Sequence, residues 1–562
     1  MPKRTKMSLI LMVTAVLILS ACSNGNAPTA GQGAQQPDGG TPEAASNLTE
    51  PGTFPIVNEQ VELTILIAGD SNVEDFQTNA FTKWYEEHTN VKVNFEVAPP
   101  GASAETLNLR LASMDLPDIM LGMGVTRAQE MIYGPQGVFL PLNDLIEEYG
   151  YYMKQAFEEQ PKYYDSIVTP DGNIYSLPEI NECYHCSMPF KLWMNEDFLD
   201  AVNLPMPSTT EEFYQTLKAF KEQDPNGNGK ADEIPLAGAI RPGAARAVEL
   251  QVEMFLMNSF VYTPATRMYL EDGQVTTSYT QPGWKEGLKY LNKLYSEGLL
   301  AGESFTQDEQ QLRQMGENAE APILGAFPGI YLGNATEIGG PSGRWLDYKA
   351  VAPLEGPDGT QYAVHNPYQL TSGKAVITTA AEHPEIALRW LDGFFDEDIM
   401  NRVQNGIPGV DFKEAGEGML GIDGSPAKYE LITPYGGMTN NHWYQKAPVY
   451  NYSATRLSWY AGENPDENNE VILYRATNEQ YEPHIPPIDM VIPHLYFTED
   501  QSTELADLEK TIKDYVDQMT ARFIIGDHNI DNEWDNYLAT LQSMGVDRLI
   551  QINQDAYDAN AN

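Results

Sequence analysis

Basic side chains are what this 562-residue chain is short of: 34 Lys and Arg stand against 80 Asp and Glu, a formal charge of −46. A surface of that sign repels nucleic acid and anionic lipid headgroups, which removes both as partners. Cysteine is scarcer still, at three residues, and no second CxxC or His pair exists to complete a zinc site. Only eight histidines are present, with no G-x-S-x-G elbow, no H-E-x-x-H and no P-loop, so the common hydrolase, metalloprotease and nucleotide-binding signatures are absent. Carboxylate pairs drawn from eighty acids carry no information. After the first twenty residues no apolar run approaches the length that spans a bilayer.

What the N-terminus does have is an export signal. Lys3, Arg4 and Lys6 precede an apolar run over residues 9–19, which is short for a permanent span and ends in small residues. Leu19-Ser20-Ala21-Cys22 resembles the lipobox of bacterial lipoproteins. That resemblance implies a signal peptide over 1–21, cleavage before Cys22, and fatty acylation (palmitate or a like chain) of that cysteine as the sole anchor. Removing 1–21 takes away three basic and no acidic side chains, leaving 31 Lys and Arg against 80 acids, a net charge of −49. Residues 22–57 are rich in Gly, Ala, Pro, Gln, Ser and Asn and poor in aliphatics. They are expected to form a flexible tether with a reach of about 30 Å.

Order begins at Val61. Val61, Leu63, Ile65 and Ile67 alternate as in a strand, Phe76, Ala80, Phe81 and Trp84 make a helical stripe, and Val91, Val93, Phe95 and Val97 alternate again. Strand, helix, strand opens an α/β fold with a right-handed crossover. A helix bearing Leu107, Leu109 and Leu111 leads to the run Pro117-Asp118-Ile119-Met120-Leu121. Later stripes are Trp284, Leu288, Leu291 and Leu294 before Gly298; Ile386, Trp390, Leu391 and Phe394 after Pro384; and Leu505, Leu508, Ile512, Tyr515, Met519 and Phe523 before Gly526. About 500 ordered residues exceed one core, so two or more domains are expected.

Two local motifs carry chemistry. Residues 224–233 read Asp-Pro-Asn-Gly-Asn-Gly-Lys-Ala-Asp-Glu, with oxygen side chains at relative positions 1, 3, 5 and 9 and glycine at 6, the pattern of a calcium loop. Asp224, Asn226, Asn228, Asp232 and Glu233 supply side-chain oxygens and Lys230 its carbonyl. Pro235 stands where the usual glutamate would be, so Glu233 must substitute and no exiting helix follows. The role would be structural, and an Asn/Gly turn without metal is the plainer alternative. The entering helix is announced by Thr209 and Glu212 as a capping box. Cys183-Tyr184-His185-Cys186 is the second motif. Pro189 and a strand-like stretch follow it, not the helix that thioredoxin chemistry needs. Outside the cell, with Cys22 lipidated, Cys183 and Cys186 are most simply a disulfide; free thiols and metal are the other readings.

Aromatics are plentiful, at 8 Trp, 31 Tyr and 19 Phe, and Tyr and Trp rings suit sugar faces, although most must be core. Together several segments resemble one family. They are Leu116-Pro117-Asp118-Ile119, Trp193-Met194-Asn195-Glu196-Asp197-Phe198-Leu199, Pro207 to Phe213 with the loop after it, and Leu294-Tyr295-Ser296-Glu297-Gly298. Phe305-Thr306-Gln307-Asp308, Pro384-Glu385 with Trp390-Leu391-Asp392, and Phe523-Ile524-Ile525-Gly526 through Met544-Gly545-Val546-Asp547-Arg548 complete the set. In this order they are similar to the extracellular solute-binding proteins, family 1, of carbohydrate ABC importers. The likeness is greatest to the large lipoprotein branch of Paenibacillus-like bacteria and extends to alginate-oligosaccharide-binding proteins.

The resemblance implies an α/β, two-lobed, periplasmic-binding-protein-like fold whose lobes close by a hinge on ligand in a cleft. The expected lobes are 58–182 with 367–435, and 183–366 with 436–562. It also implies calcium at the positions already named, and ligand contacts at Asp70, Tyr184, His185, Phe327, Tyr331 and Trp443. Gly122-Met123-Gly124 departs from sugar binders that place a polar ligand residue after the same strand. The function it implies is to bind an oligosaccharide, without a reaction, and to hand it to membrane permease subunits driven by a cytoplasmic ATPase. The protein would act as a monomer, lipid-anchored outside a Gram-positive cell. A surface glycosidase or esterase, and a sugar-presenting sensor, are the alternatives.

Overall fold

Nine of the thirteen strands among the described residues, 47–241, 248–433 and 437–560, of a computed structural model build its two larger sheets. They are β1 (Val61–Ala68), β2 (Val91–Ala98), β3 (Ile119–Leu121), β4 (Leu177–Asn181), β5 (Leu192–Asn195), β6 (Ala326–Pro328), β7 (Tyr348–Val351), β8 (Leu370–Ile377) and β9 (Tyr450–Asn451). The signal segment, Cys22 and the tether up to residue 46 lie outside the described residues. Among the described residues no helix is long and apolar enough to cross a membrane.

The alternation of β1 puts Leu63, Ile65 and Ile67 into the core of a six-stranded sheet ordered β9-β4-β8-β3-β1-β2. β1 runs parallel to β2 and β3, with Ile65 opposite Phe95 and Ile119, while β8 runs antiparallel to both β3 and β4. β9 lies parallel to β4, with Asn451 opposite Asn181. The helices Ala80–Thr89, Ser103–Ser113 and Pro384–Asp392 cover this sheet, as the stripes predict, although Leu109 faces solvent. A second core is built around the antiparallel sheet β6-β5-β7. Against it pack the helices Thr210–Glu222, Pro282–Ser296 and Glu499–Ile525, with Trp284, Leu288, Leu291 and Leu294 buried. Glu499–Ile525 starts at a Thr498 capping box and stops at Gly526, whose left-handed φ of +80° suits glycine. Thr209 caps Thr210–Glu222, but Glu212 reaches back to Ser208 instead of completing the expected box with Thr209.

Two expected boundaries move. Residues 47–57 belong to the first lobe and not to the tether: Leu48 bridges to Val57, and Ile56 and Val57 are fully buried. The Arg389 guanidinium fixes this stretch by donating to the carbonyls of Thr49, Glu50 and Thr53 at 2.7–3.1 Å. The second shift is larger. The expected return to the second lobe at 436 comes later, because Trp443, Tyr444, Ala447, Val449 and Tyr450 are part of the first core. The chain then builds a small module around Ile422, Ala461 and Val471, and rejoins the second lobe through helix Asn469–Ala476, whose Leu473 and Ala476 pack with Trp193.

Asp392 shows how one lobe is tied internally. Its carboxylate accepts from the N–H groups of Tyr151, Tyr152 and Met153, at the start of helix Tyr152–Glu159. Burial pushes its carboxyl up to about 6, and the three N–H donors with Arg389 offset only part of that. A folded pKa above the unfolded value means the native state binds this proton more tightly, so the group favours folding below about pH 4 and loses that contribution as pH rises to about 6. The stability difference between Asp392→Asn and wild type, measured by urea unfolding, is therefore expected to move by about 2–3 kcal/mol in favour of the variant between pH 4 and pH 6.5.

Candidate functional site

The parallel strands of the first sheet end together. Ala68, Leu121, Asn181 and Asn451 close β1, β3, β4 and β9, and antiparallel β8 begins beside them at Leu370. In open α/β sheets this edge is where ligands settle. Here it is also where the chain crosses between lobes: residues 182–188 leave β4, and residues 365–369 return to β8. Asn366 N–H donates to the Ser187 carbonyl at 2.7 Å, and Asn181 N–H to the Gln369 carbonyl at 3.0 Å, so the two crossings lie side by side.

Two cavities open at this crossing. One, of about 280 Å³, is lined by Glu179, Asn181, Cys183, Cys186, Gln369 and Gln445 among others. The second, of about 320 Å³, is lined by Gln404, Asn451, Arg456, Trp459, Tyr460 and Glu470 among others. Gln445 lines both, and the Asn181–Asn451 pairing joins their floors. Trp459 and Tyr460 are half-buried, with the Trp459 ring backed by Tyr429 at 5.3 Å and Phe412 at 5.9 Å. Five polar atoms in these walls are buried without a hydrogen-bond partner: Asn181 Oδ1, Gln369 Oε1, Gln404 Nε2, and Oδ1 and Nδ2 of Asn401. Gln404 is only 6% exposed, and its other amide atom accepts from Asn451 at 3.2 Å.

Ion pairs surround these amides. Lys374 is bonded to Glu179 and to the Gln445 carbonyl. Arg456 Nη2 stands 3.2 Å from Glu470 Oε2, and Lys446 Nζ 3.1 Å from Asp70 Oδ2.

The residues expected from sequence divide accordingly. Tyr184 and His185 are at the crossing. Tyr184 donates to Glu482 at 2.6 Å, and its ring lies 5.1 Å from that of Tyr474; burial and then Glu482 push its phenol well up. His185 is buried, with Nδ1 3.7 Å from Glu470 and Nε2 3.5 Å from Cys183 Sγ. Cys183 and Cys186 have their sulfurs at bonding distance and their Cα atoms 5.1 Å apart.

Asp70 sits at the same edge of the first sheet but lines a neighbouring groove of about 420 Å³ with Phe76, Gln77 and Phe95. Burial pushes its carboxyl up, but the Asn72 N–H and Lys446 outweigh that and hold it below the usual range. Phe327 is fully buried in the second lobe with Trp193 and Tyr348, on a strand β6 whose three residues are all buried; it packs and does not face the cleft. Tyr331 is half-buried against the same cluster. Trp443 is core: it is wholly buried among Phe76, Phe81, Phe95 and Phe394, and its indole N–H donates to Thr82 Oγ1 at 2.9 Å. The aromatic that reaches the cavity is Trp459, sixteen residues on. The adjacent Trp459-Tyr460 pair in a polar stretch is the sequence signal that marks it.

The 224–233 loop is drawn together by its amides. Asn226 and Asn228 both donate to the Asp232 carboxylate at 3.1 Å, and the Asp224 carboxylate accepts the N–H groups of Asn228 and Gly229. Gly227 and Gly229 take left-handed φ values that make the turn, and Ile234 leaves as a bridge to Leu324 instead of a helix. Glu233 Oε1 is buried with no hydrogen-bond partner, and burial pushes that carboxyl up. Among the described residues, the His, Cys, Asp and Glu set that brings three ligand atoms within 4.8 Å of one another is Cys183, His185 and Cys186. With the two sulfurs at bonding distance, thiolate ligation is not open to that set.

The profile of the bacterial extracellular solute-binding proteins matches residues 69–399. The fructooligosaccharide ABC transporter substrate-binding protein FusA of Streptococcus pneumoniae is 26% identical over 569 residues, which cover 99% of this chain and 98% of its own. The polygalacturonan/rhamnogalacturonan-binding protein YtcQ of Bacillus subtilis is 22% identical over 485 residues, 84% of this chain and 87% of its own. Among solved structures, the FusA EF-hand mutant in complex with fructo-nystose superposes with a TM-score of 0.68 at 25% identity, covering 88% of this chain and 99% of that one. A human-milk-oligosaccharide-binding solute-binding protein of Bifidobacterium longum infantis gives 0.74 at 21% identity over 89% and 99%, a likeness of fold.

Because Trp443 fills core volume, Trp443→Ala is expected to cost about 3–5 kcal/mol of folding stability. Urea unfolding followed by tyrosine fluorescence or circular dichroism checks this, and a loss under about 1 kcal/mol would contradict the placement.

Proposed function

The chain belongs to the bacterial extracellular solute-binding proteins, and from that premise we propose that it is the oligosaccharide-binding component of an ABC importer. The observation that carries this is the half-buried Trp459-Tyr460 pair beside unpartnered amides in the cleft where the lobes are joined. A sugar ring presents an apolar face that stacks on Trp or Tyr, and hydroxyls that both donate and accept. Asn181, Gln369, Gln404 and Asn451 supply the matching amide atoms. Closure of the lobes over the ligand removes water from those contacts, and the closed form is what membrane permease subunits receive. The full-length likeness to FusA supports an oligosaccharide as ligand. The lipobox-like Leu19-Ser20-Ala21-Cys22 supports lipid attachment at the outer face of a Gram-positive cell. The protein binds and does not transform its sugar.

Calcium belongs to the same reading, as a structural ion in the 224–233 loop. Asp224, Asn226, Asn228, Asp232 and Glu233 would hold it by side-chain oxygens and Lys230 by its carbonyl. The buried, unpartnered Glu233 Oε1 and the convergence of Asn226 and Asn228 on Asp232 fit an oxygen-seeking cation. Relatives point the same way, since an EF-hand mutant of FusA has been made. Bound there, the ion would pin the loop between helix Thr210–Glu222 and Ile234, far from any chemistry on the sugar.

Thermal-shift screening of the chain from Cys22 onward against oligosaccharides is expected to find ligands that raise Tm, since a ligand binding only the folded state stabilises it. Chromatography should recover those ligands uncut, and cleavage would refute a pure binder. Trp459→Ala is expected to weaken the identified ligand about tenfold or more while leaving Tm of the free protein nearly unchanged. Chelation with EDTA is expected to lower Tm of the ligand-free protein, with restoration by calcium and not by magnesium; an unchanged Tm would remove the ion.

A further inference from the structure

The relatives take chemically opposite sugar chains, a fructooligosaccharide in one and a polygalacturonan, a polymer of uronic acids, in another. Recognising a uronate needs cations or N–H donors free to meet its carboxylate. Along this cleft the cations are committed elsewhere. Lys374 is bonded to Glu179 and to the Gln445 carbonyl, both side chains nearly buried. Lys446 is held by Asp70 at 3.1 Å. Among the described residues, Arg456 is the single Lys or Arg that lines either cavity, and it stands 3.2 Å from Glu470, which lines the same cavity. The His185 imidazole faces Glu470 as well, at 3.7 Å.

What lacks a partner is neutral. Asn181 Oδ1, Gln369 Oε1 and Asn401 Oδ1 are acceptors and Gln404 Nε2 and Asn401 Nδ2 are donors, so the buried groups awaiting a ligand call for both hydrogen-bond roles and no net charge. Asn366, Gln445 and Asn451 extend the same amide lining. A hydroxyl satisfies such a mixture by turning its O–H, whereas a carboxylate only accepts. Placed here, a carboxylate would lie against Glu179 or Glu470, or would have to take Arg456 from Glu470 and leave that acid unpaired. The acidic surface of the whole chain disfavours an anion before it arrives.

We propose that this cleft selects electrically neutral oligosaccharides and rejects uronates, and that Glu470, by neutralising Arg456, is a specificity-determining residue. The proposal rests on the oligosaccharide-binding reading and adds the charge class of the ligand. Selection works on two levels. The unpartnered amides favour hydroxyl-rich neutral rings, and the paired carboxylates turn acidic rings away. Arg456 and its partner Glu470 line the same cavity as Trp459.

The test is isothermal titration of the calcium-loaded protein at 20 and 500 mM NaCl with neutral inulin-type, xylo- and malto-tetrasaccharides and with tetragalacturonate. A neutral tetrasaccharide is expected to bind, with an affinity that changes less than about twofold between the two salt concentrations. Tetragalacturonate is expected to bind at least about a hundredfold more weakly. Glu470→Gln, confirmed folded by its Tm, is expected to gain about tenfold in affinity for tetragalacturonate at 20 mM salt, with the gain lost at 500 mM. Glu179→Gln, which releases Lys374, gives a second reading of the same kind should Glu470→Gln not fold. Tetragalacturonate binding as tightly as the best neutral sugar would overturn the proposal and leave oligosaccharide binding intact. Binding of neither class would overturn the functional reading, and this proposal with it. No gain of uronate affinity in either folded variant would remove the role given to the pairing carboxylates.

Discussion

Where β4 runs out and the chain turns toward the second lobe, the Lys191 ammonium is buried completely and donates to the carbonyls of His185 and Met188. It lies over the Tyr481 ring at 5.2 Å, and burial pulls its pKa down to about 7. Tyr481 in turn accepts the Leu192 N–H and donates to the Val351 carbonyl, at 3.0 and 2.6 Å. One cation and one phenol thus bind the hinge turn, β5 and β7 to the segment that follows helix Asn469–Ala476. A buried polar network of this kind is stable only when its members satisfy one another, and for that reason it admits one arrangement. The position of Tyr184, His185 and both cysteines follows from it.

That rigidity explains how the cleft tolerates unpartnered amides. An unsatisfied buried polar atom costs about 1–3 kcal/mol, and a soft wall would collapse to pair it. Asn181 and Gln369 are held by main-chain bonds at the two crossings, and Gln404 by a helix and by Asn451. The lobes supply the stability, and the crossing keeps the polar atoms open for a ligand. Local violations of the rule that buried polar groups pair are expected at functional sites for this reason.

Much of the scaffold is legible in the chain. The alternation in 61–67 and 91–97, the stripe from Trp284 to Leu294, and the Gly526 signal each give the observed element, because they depend on neighbours in sequence. The family resemblance points to Tyr184 and His185, and the structure places them at the crossing between the lobes. The misjudged places are long-range. The stretch 47–57 is compositionally loose, yet Ile56 and Val57 dock and Arg389, more than 330 residues on, holds their turn. Trp443 and Trp459 both sit among polar residues; the first is taken up by Phe76, Phe81 and Phe95 from another part of the chain, and the second is left facing a cavity.

By itself, then, the sequence determined the lipobox-like string at 19–22, the acidic surface, the α/β pattern, the oxygen spacing of the 224–233 loop, and a family likeness built from ordered local segments. These are written in nearest neighbours and fixed periods. Only the tertiary structure decided which aromatic faces the cavity, which amides are left without partners, and which carboxylate pairs with which cation. Those properties belong to pairs such as Arg456 with Glu470 and Lys374 with Glu179, brought together by packing across the fold, and a linear pattern carries no record of a partner chosen in space.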